Sequence, residues 1–270
     1  MGKLIGRKKE LSLLDDFYNN SSRKVCAIIG RRQIGKSCLI DEFVKDKDHF
    51  KIEFANTTLD TNLKLMSRTM TDLTGIEKSY ADTIDFFWDL AKYIEGKKMI
   101  VVFDEFPYMV ECDKEFASLT QHFVDVQLGD SRLIISGSSV KTMEFEINDY
   151  SRPLYGRALT LYIYGLSLNE CREFHAEYSD LDMLKLYLTV GGVPLYHVMD
   201  DSKDYQGYVE ETILSPTASF RNEGEDIVRR ELSPPGDFIK MLDSMTGRRN
   251  TIGDITSKTG LDRNSCSDHL

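Results

Sequence analysis

The stretch CAIIGRRQIGKSCLI, residues 26–40, decides how the rest of the sequence is interpreted. An apolar run leads into a loop of two glycines, two arginines, a lysine and a serine, and a segment of helical period follows. Residues 30–37 match the pattern G-x-x-x-x-G-K-[ST] in the context that this pattern requires, between a buried strand and an amphipathic helix. The sequence therefore predicts a phosphate-binding loop here rather than an ordinary strand-turn-helix corner.

Each position of this loop has an expected role. Gly30 and Gly35 let the backbone curl so that its N–H groups point inward, beside the partial positive charge of a helix N-terminus. Lys36 is expected to reach the β- and γ-phosphates, and the Ser37 hydroxyl to bind Mg²⁺. The other predicted nucleotide contacts are Arg31, Arg32, Gln33, Ile34 and Cys38. For the two arginines, a role as solvated loop charges stays equally open.

A second motif is MIVVFDE, residues 99–105. Its apolar residues predict a strand buried on both faces, with two carboxylates where the strand ends. Asp104 is expected to hold Mg²⁺ through water, and Glu105 to polarise the water that attacks the γ-phosphate. Such a pair can also be a simple strand-end feature. The helix, strand and helix predicted between Lys36 and Asp104 favour the functional interpretation.

A third motif is LIISGSS, residues 133–139, an apolar strand that ends in hydroxyl groups and a glycine. Ser136 or Ser138 could donate a hydrogen bond to the γ-phosphate or to the attacking water. An ordinary serine turn explains the same residues equally well.

Strand and helix patterns alternate through residues 1–165, which predicts an α/β domain with a parallel sheet in a three-layer α/β/α arrangement. Ligands of such sheets bind at the carboxyl ends of the strands. The predicted strands are Val25–Ile29, Lys51–Phe54, Met99–Phe103, Leu133–Ser136 and Leu159–Ile163.

Helical patterns alone follow the α/β region. Ser167 and Glu170 form a predicted capping box at the start of an all-α helical domain, residues 166–247. Residues 248–270 predict a truncated helix-turn-helix, with helices that begin near Thr251 and near Asp262. Because the pattern stops inside the second of these helices, we expect the sequence to be part of a longer protein.

Charge and composition limit the partners. A formal charge of −10 argues against a surface that binds nucleic acid along its whole length. A local basic patch keeps DNA open as a partner, and it comprises Arg248, Arg249, Lys258 and Arg263. The sequence has no apolar run of membrane-spanning length, and its five cysteines include no CxxC pair. These features predict a cytoplasmic protein with reduced thiols and no membrane partner.

The motifs also occur in a familiar order. Along the chain stand IGRKKEL (5–11), IIGRRQIGKSCLI (28–40), VVFDEF (101–106), IISGSSV (134–140), PLYGR (153–157) and GGVPLY (191–196). This ordered set resembles the archaeal-type ATPases of the STAND group, which are relatives of the AAA+ proteins within the P-loop NTPases. The resemblance covers almost the whole chain and is much more specific than any single motif.

Further roles follow from this resemblance. It implies that Ile5, Gly6 and Arg7 form an amino-terminal box beside the adenine. It implies that Pro194 belongs to a glycine-x-proline motif that brings the helical domain against the nucleotide, and that Arg157 senses the γ-phosphate within its own chain or in a neighbouring copy. Without the resemblance, a helix-breaking turn and a structural salt bridge explain Pro194 and Arg157.

The resemblance also implies a winged helix that starts at the terminal helix-turn-helix. One position departs from the family, since Gln33 stands where a third arginine is common. The departure leaves the phosphate-binding loop intact and makes a loop-mediated contact with a partner less certain.

Three functions remain open from the sequence. The leading hypothesis is a Mg²⁺-dependent ATPase that binds ATP or ADP and whose hydrolysis drives a regulatory or DNA-associated conformational switch. The second is a nucleotide-locked, non-enzymatic regulator with negligible turnover. The third is a small-molecule kinase, against which Glu105 and the helical domain both argue. DNA, a protein partner and a homo-oligomer stay open for the switch.

Overall fold

The computed structural model describes residues 4–199, 202, 204–231, 235–245 and 251–268. The chain forms two compact units. The first holds the described residues of 1–176 and 183–199, and the second those of 177–182 and 200–270. Arg248 and Arg249, two members of the predicted basic patch, lie outside the described residues.

The first unit is built on five parallel strands in the order β2-β3-β4-β1-β5. The strands are β1 (Val25–Ile29), β2 (His49–Glu53), β3 (Ile100–Asp104), β4 (Arg132–Gly137) and β5 (Ala158–Tyr162). Every residue of β1 and of β3 is buried, as apolar strands covered on both faces require. The parallel sheet with its helices confirms the predicted α/β/α fold.

All five predicted strands are present, and most differ from the prediction by one or two residues. β2 begins at His49 rather than Lys51, because its ladder with β3 pairs His49 with Ile100. The side chains of β2 alternate between buried and more exposed, and polar residues occupy the exposed positions. Periodicity alone therefore gave a weak signal for its start.

Helices precede, connect and follow these strands in residues 4–199. They are α1 (Lys8–Asn20), α2 (Lys36–Val44), α3 (Leu59–Thr74), α4 (Thr83–Ile94), α5 (Phe106–Cys112), α6 (Phe116–His122), α7 (Val140–Asn148), α8 (Leu168–Cys171), α9 (Asp180–Val190) and α10 (Pro194–Val198). A π-helical turn, Phe123–Gln127, continues α6. Alternate residues of β1 pack with α3–α7 in one large apolar cluster, in which Phe87 contacts Phe103 and Phe116. Such dense packing fixes the positions of the strand ends.

The second unit is helical where it is described. Its helices are α11 (Tyr205–Val209), α12 (Glu223–Glu231), α13 (Pro235–Ser244), α14 (Ile252–Thr259) and α15 (Arg263–Asp268), with a π-helical turn Glu210–Leu214 after α11. Met241, Ile255 and Cys266 form a small core. A capping box of Thr251 and Asp254 starts α14.

The helices α14 and α15 begin close to where the sequence predicts them. Their identity as a helix-turn-helix stays a prediction, as do the domain boundaries at 165 and 247. Among the described residues, no helix combines the length and the apolar composition that crossing a bilayer requires.

The strand order brings three predicted motifs to one edge of the sheet. Because all strands are parallel, their carboxyl ends lie together, and β4 lies between β3 and β1. Residues 30–37 follow β1, Glu105 follows β3, and Ser138 follows β4. This edge is where a ligand site is expected.

Candidate functional site

The phosphate-binding loop, residues 30–37, has a tightly curled backbone. A Cβ atom on Gly30 would lie 2.6 Å from the Ile163 carbonyl oxygen, so no side chain fits there. Gly35 has a φ of 90° and Gln33 a φ of 64°, both in the left-handed region. For Gln33 this conformation costs energy, because its Cβ is crowded there.

Lys36 is the first residue of α2, and it is buried. Its Nζ donates hydrogen bonds to the carbonyl oxygens of Gly30 (2.9 Å) and Arg31 (3.2 Å). The amine therefore lies over the loop, next to the inward-facing backbone, which is the position from which a lysine reaches bound phosphates.

The other loop side chains divide by exposure. Arg31, Arg32 and Cys38 are exposed, Ser37 is half-buried, and Ile34 is buried. The predicted nucleotide contacts of these residues stay predictions.

Asp104 ends β3, and its side chain is fully buried. Its Oδ1 accepts hydrogen bonds from the Ser136 hydroxyl and from the Glu105 backbone N–H (3.1 Å). Its Oδ2 has no hydrogen-bond partner, and Lys51 Nζ lies 3.7 Å from it. A buried carboxylate oxygen without a hydrogen bond is costly unless a cation or a ligand meets it.

This contact gives Ser136 a different role from the expected one, which stays a prediction. The sequence allowed its hydroxyl to bond the γ-phosphate or the attacking water. The structure shows it donating to Asp104 Oδ1 from the neighbouring strand, so Ser136 orients the carboxylate. Sequence reasoning missed this because it treated each strand end alone.

Glu105 has a left-handed backbone, with a φ of 53°, and precedes α5. Its Oε2 accepts hydrogen bonds from the backbone N–H and from the hydroxyl of Ser138, both at 2.9 Å. The structure thus brings together the proposed base and one of the two predicted serines.

Arg7 connects the start of the chain to the loop. Its guanidinium donates to the carbonyl oxygens of Ile34 (3.0 Å) and Tyr164 (2.7 Å) and pairs with Glu10 (3.0 Å). Its backbone has a φ of 62°, and its N–H donates to Glu170 (3.3 Å). These contacts make Arg7 a support of the phosphate-binding loop.

The other two residues of the predicted amino-terminal box are Gly6 and Ile5. Gly6 has a φ of 67°, in the left-handed region that favours glycine, and a Cβ there would lie 2.5 Å from Glu170 Oε1. Ile5 is half-buried. A contact of Ile5, Gly6 or Arg7 with adenine stays a prediction.

Pro194, at the start of α10, lies beside the loop. A Cβ atom on Gly35 would be 3.7 Å from Pro194 Cγ. The Leu166 N–H donates to the Gly192 carbonyl (2.7 Å), and a Cβ on Gly192 would lie 2.0 Å from the Leu166 carbonyl oxygen. Only glycine fits at 192, and this close approach holds the glycine-x-proline segment against the end of the sheet.

Arg157 lies away from the phosphate-binding loop of its own chain. It immediately precedes β5, and Ala158 pairs with Val25 at the amino end of β1, whereas the phosphate-binding loop follows the carboxyl end. Arg157 makes a bidentate pair with Asp125, with contacts of 2.9 and 3.1 Å. The structure therefore does not bring Arg157 to the loop of its own chain, and a role within that chain stays a prediction without support from this geometry. Action on a neighbouring copy stays a prediction.

Charged residues that the sequence did not single out lie near Asp104. Lys51 on β2 pairs with Asp41 on α2 as well as with Asp104. Partial burial, followed by the charge of Asp104, raises the pKa of Glu53 above its ordinary value, while Lys51 opposes this rise. A signal for Lys51 existed in the sequence, since a lysine alternates with apolar residues in a strand next to the strand that carries Asp104.

Comparisons with known proteins agree with this geometry. The family described as AAA domain matches residues 22–172, a range that holds the phosphate-binding loop, Asp104, Glu105 and Ser136. An uncharacterised protein of Methanocaldococcus jannaschii is 26% identical over 270 residues, which cover 98% of this chain and 59% of the relative. The chain thus spans less than two thirds of that relative's length.

Solved structures share the fold. The Walker-type ATPase of Pyrococcus abyssi superposes with a TM-score of 0.69 at 18% identity, over 99% of this chain and 89% of that one. A signal transduction ATPase with numerous domains (STAND), with a tetratricopeptide repeat sensor, from Pyrococcus horikoshii gives a TM-score of 0.51 at 16% identity, over 100% of this chain and 39% of that one. These likenesses confirm the P-loop ATPase fold.

Proposed function

The chain belongs to the AAA domain family, and we propose that it binds ATP with Mg²⁺, hydrolyses the ATP to ADP and phosphate, and uses the reaction to drive a conformational switch. One observation carries this proposal. Asp104, buried with one oxygen lacking a hydrogen bond, and Glu105, held by Ser138, lie at the same sheet edge as the phosphate-binding loop.

Ser37 and Asp104 are the residues that would hold Mg²⁺. The fit rests on Oδ2 of Asp104. This carboxylate oxygen is buried and accepts no hydrogen bond, and carboxylate oxygens are ligands of the kind that Mg²⁺ prefers. Bound there, the ion would offset the negative charge of the β- and γ-phosphates.

Lys36 and the loop backbone would bind the phosphates. The amine of Lys36 would exchange its bonds to the carbonyls of Gly30 and Arg31 for bonds to phosphate oxygens. The backbone N–H groups of residues 31–38 would supply the remaining donors.

Glu105 would act as the general base. Its carboxylate accepts a proton from the water whose oxygen bonds to the γ-phosphorus, while the bond from that phosphorus to the bridging oxygen breaks and ADP leaves. For Oε2 to accept this proton, its bonds to Ser138 would have to be exchanged for a bond to the water.

The pairing of Glu105 with Ser138 also favours the second candidate function. Two hydrogen bonds to Oε2 stabilise the carboxylate and make it a weaker base, so the protein could hold ATP with negligible turnover until a partner changes the site. The chain would then be a nucleotide-locked regulator.

The output of the switch involves the segment beside Pro194, because this proline lies against Gly35 of the loop. Partners in line with the sequence are DNA, through α14 and α15, a protein, or a second copy on which Arg157 would act. Fluorescence anisotropy with labelled duplex DNA, and sedimentation with and without ATP, would separate these partners.

Phosphate release at steady state tests the reaction. We expect Glu105→Gln to keep ATP affinity and to lose about 100-fold in turnover, the range of general base catalysis. Glu111→Gln, an exposed glutamate of α5, is the matched control and should not change either value. Lys36→Ala should weaken ATP binding. ATP affinity unaffected by Lys36→Ala would refute the site, and ATP binding without any turnover would favour the regulator.

A further inference from the structure

Lys51 occupies a specific place in the sheet. β2 is the edge strand beside β3, and its register pairs Lys51 with Val102 and Glu53 with Asp104. Phe50, Ile52 and Phe103 belong to the large apolar cluster on one face. Side chains alternate along a strand, so Lys51, Glu53 and Asp104 lie on the opposite face.

The amine of Lys51 joins two elements of the candidate site. It bonds Asp41 Oδ1, which lies one helical turn after Ser37 on α2, and it lies 3.7 Å from Asp104 Oδ2. The second distance is that of an ion pair without a hydrogen bond, which agrees with Oδ2 having no hydrogen-bond partner. Lys51 thus bridges the first turns of α2 to the carboxylate at the end of β3.

The two oxygens of Asp104 are consequently unequal. Oδ1 is occupied by Ser136 and by the Glu105 backbone, whereas Oδ2 has only the electrostatic attraction of Lys51. A metal-bound water would approach Oδ2, the oxygen with unused hydrogen-bonding capacity.

We propose that Lys51 is a positioning residue that acts through Asp104, because its charge sets how strongly the site depends on Mg²⁺. This inference rests on the proposed function, from which the nucleotide and the ion are taken. The amine neutralises part of the negative charge that Asp41, Glu53 and Asp104 create, so it weakens the attraction for a divalent cation. It also lessens the repulsion of a nucleotide that arrives without Mg²⁺.

Nucleotide binding with and without Mg²⁺ tests this role without relying on turnover. A fluorescent ADP is titrated in excess Mg²⁺ and in EDTA. The Kd in EDTA divided by the Kd in Mg²⁺ measures how strongly nucleotide binding depends on the ion. Lys51→Met should raise this ratio about tenfold and lower the Mg²⁺ midpoint by a similar factor, a coupling of ordinary size between two ligands. Lys51→Arg keeps the charge and should stay near the wild type.

Lys47→Met is the matched control, since Lys47 is about as exposed as Lys51 and pairs with Asp15 at 3.3 Å. It should leave the ratio unchanged. If Lys51→Met does not fold, Asp41→Asn replaces it: with Asp41 neutral, the Lys51 amine acts on Asp104 alone, so the ratio should fall.

Two negative results have different meanings. A wild-type chain whose binding depends on Mg²⁺, together with a ratio unchanged in Lys51→Met, would overturn this inference and leave the proposed function standing. An unchanged ratio in Asp41→Asn, where that variant is used, would also overturn it. A wild-type chain that binds no nucleotide in either condition would refute the proposed function, and this inference with it.

Discussion

The Ser136 hydroxyl donates a hydrogen bond to Oδ1 of Asp104 between two neighbouring strands, and this contact leaves Oδ2 as the oxygen that faces Lys51. Both side chains are fully buried. The carboxylate therefore cannot rotate without breaking a buried hydrogen bond, so the strand that separates β1 from β3 fixes the orientation of the acidic group.

Replacing Ser136 should release this carboxylate. In Ser136→Ala, Oδ1 keeps only the Glu105 N–H, and we expect the free energy of unfolding to fall by about 1–3 kcal/mol. Mg²⁺-dependent nucleotide affinity should fall about tenfold because Asp104 is no longer held. Urea unfolding and nucleotide titration measure the two effects. Ser12→Ala, on the exposed side of α1, is the control, and equal affinity in Ser136→Ala would show that other contacts orient Asp104.

Removing the Ser138 hydroxyl should free Glu105 in part. Ser138→Ala keeps the backbone N–H bond and loses the hydroxyl bond. We expect kcat to rise about threefold, a change of about 0.6 kcal/mol in the barrier, at unchanged ATP affinity. The rise should vanish in the double variant with Glu105→Gln. A fall in kcat would show instead that the hydroxyl serves the phosphate or the attacking water.

Arg7→Met should destabilise the phosphate-binding loop, although Arg7 is not one of residues 30–37. The variant loses hydrogen bonds to Ile34 and Tyr164 and leaves Glu10 unpaired, so we expect a loss of about 3 kcal/mol in unfolding free energy. Because the effect passes through the loop, ATP and inorganic tripolyphosphate should lose affinity equally. Lys8→Met is an exposed neighbouring control. A loss confined to ATP would mean that Arg7 contacts the adenine.

The pair of Asp125 and Arg157 predicts a small pH dependence of stability. Hydrogen bonds from the Arg157 guanidinium lower the pKa of Asp125 below its ordinary value of 3.8. The pair therefore stabilises the fold above the unfolded pKa, and its contribution is lost as the pH falls through the lower folded pKa.

Asp125→Asn should show this contribution. We expect a loss of less than about 1 kcal/mol at neutral pH, since both side chains are partly exposed to solvent. The difference from wild type should disappear in acid below the folded pKa. Urea unfolding across this range is the measurement, and a loss that does not change with pH would show that the ion pair contributes nothing.

The sheet and the main parts of the site could be predicted because their signals are local. Buried strands are continuous apolar runs, and the loop at 30–37 combines glycines with a lysine at fixed spacing. Asp104 and Glu105 directly follow such a run. For these residues, the neighbours in sequence are enough to place them at the carboxyl edge of the sheet.

The rest depends on contacts between distant segments. Lys51 reaches Asp104 from another strand, and Ser136 does the same from the other side. Arg157 shows a different difficulty, because it precedes its strand while the site residues follow theirs. A motif match does not show on which side of a strand a residue lies. In a parallel sheet, residues that precede the strands and residues that follow them lie at opposite edges.

Among the described residues, the non-glycine positions with positive φ are Arg7, Gln33 and Glu105, and all three belong to the candidate site. Each such conformation costs about 1–2 kcal/mol relative to a relaxed backbone. Glycine would relieve this cost at each position, but at Arg7 and Glu105 it would also remove the side-chain hydrogen bonds described above. The strained backbone at Arg7 and Glu105 is therefore kept by the same side chains that build the site.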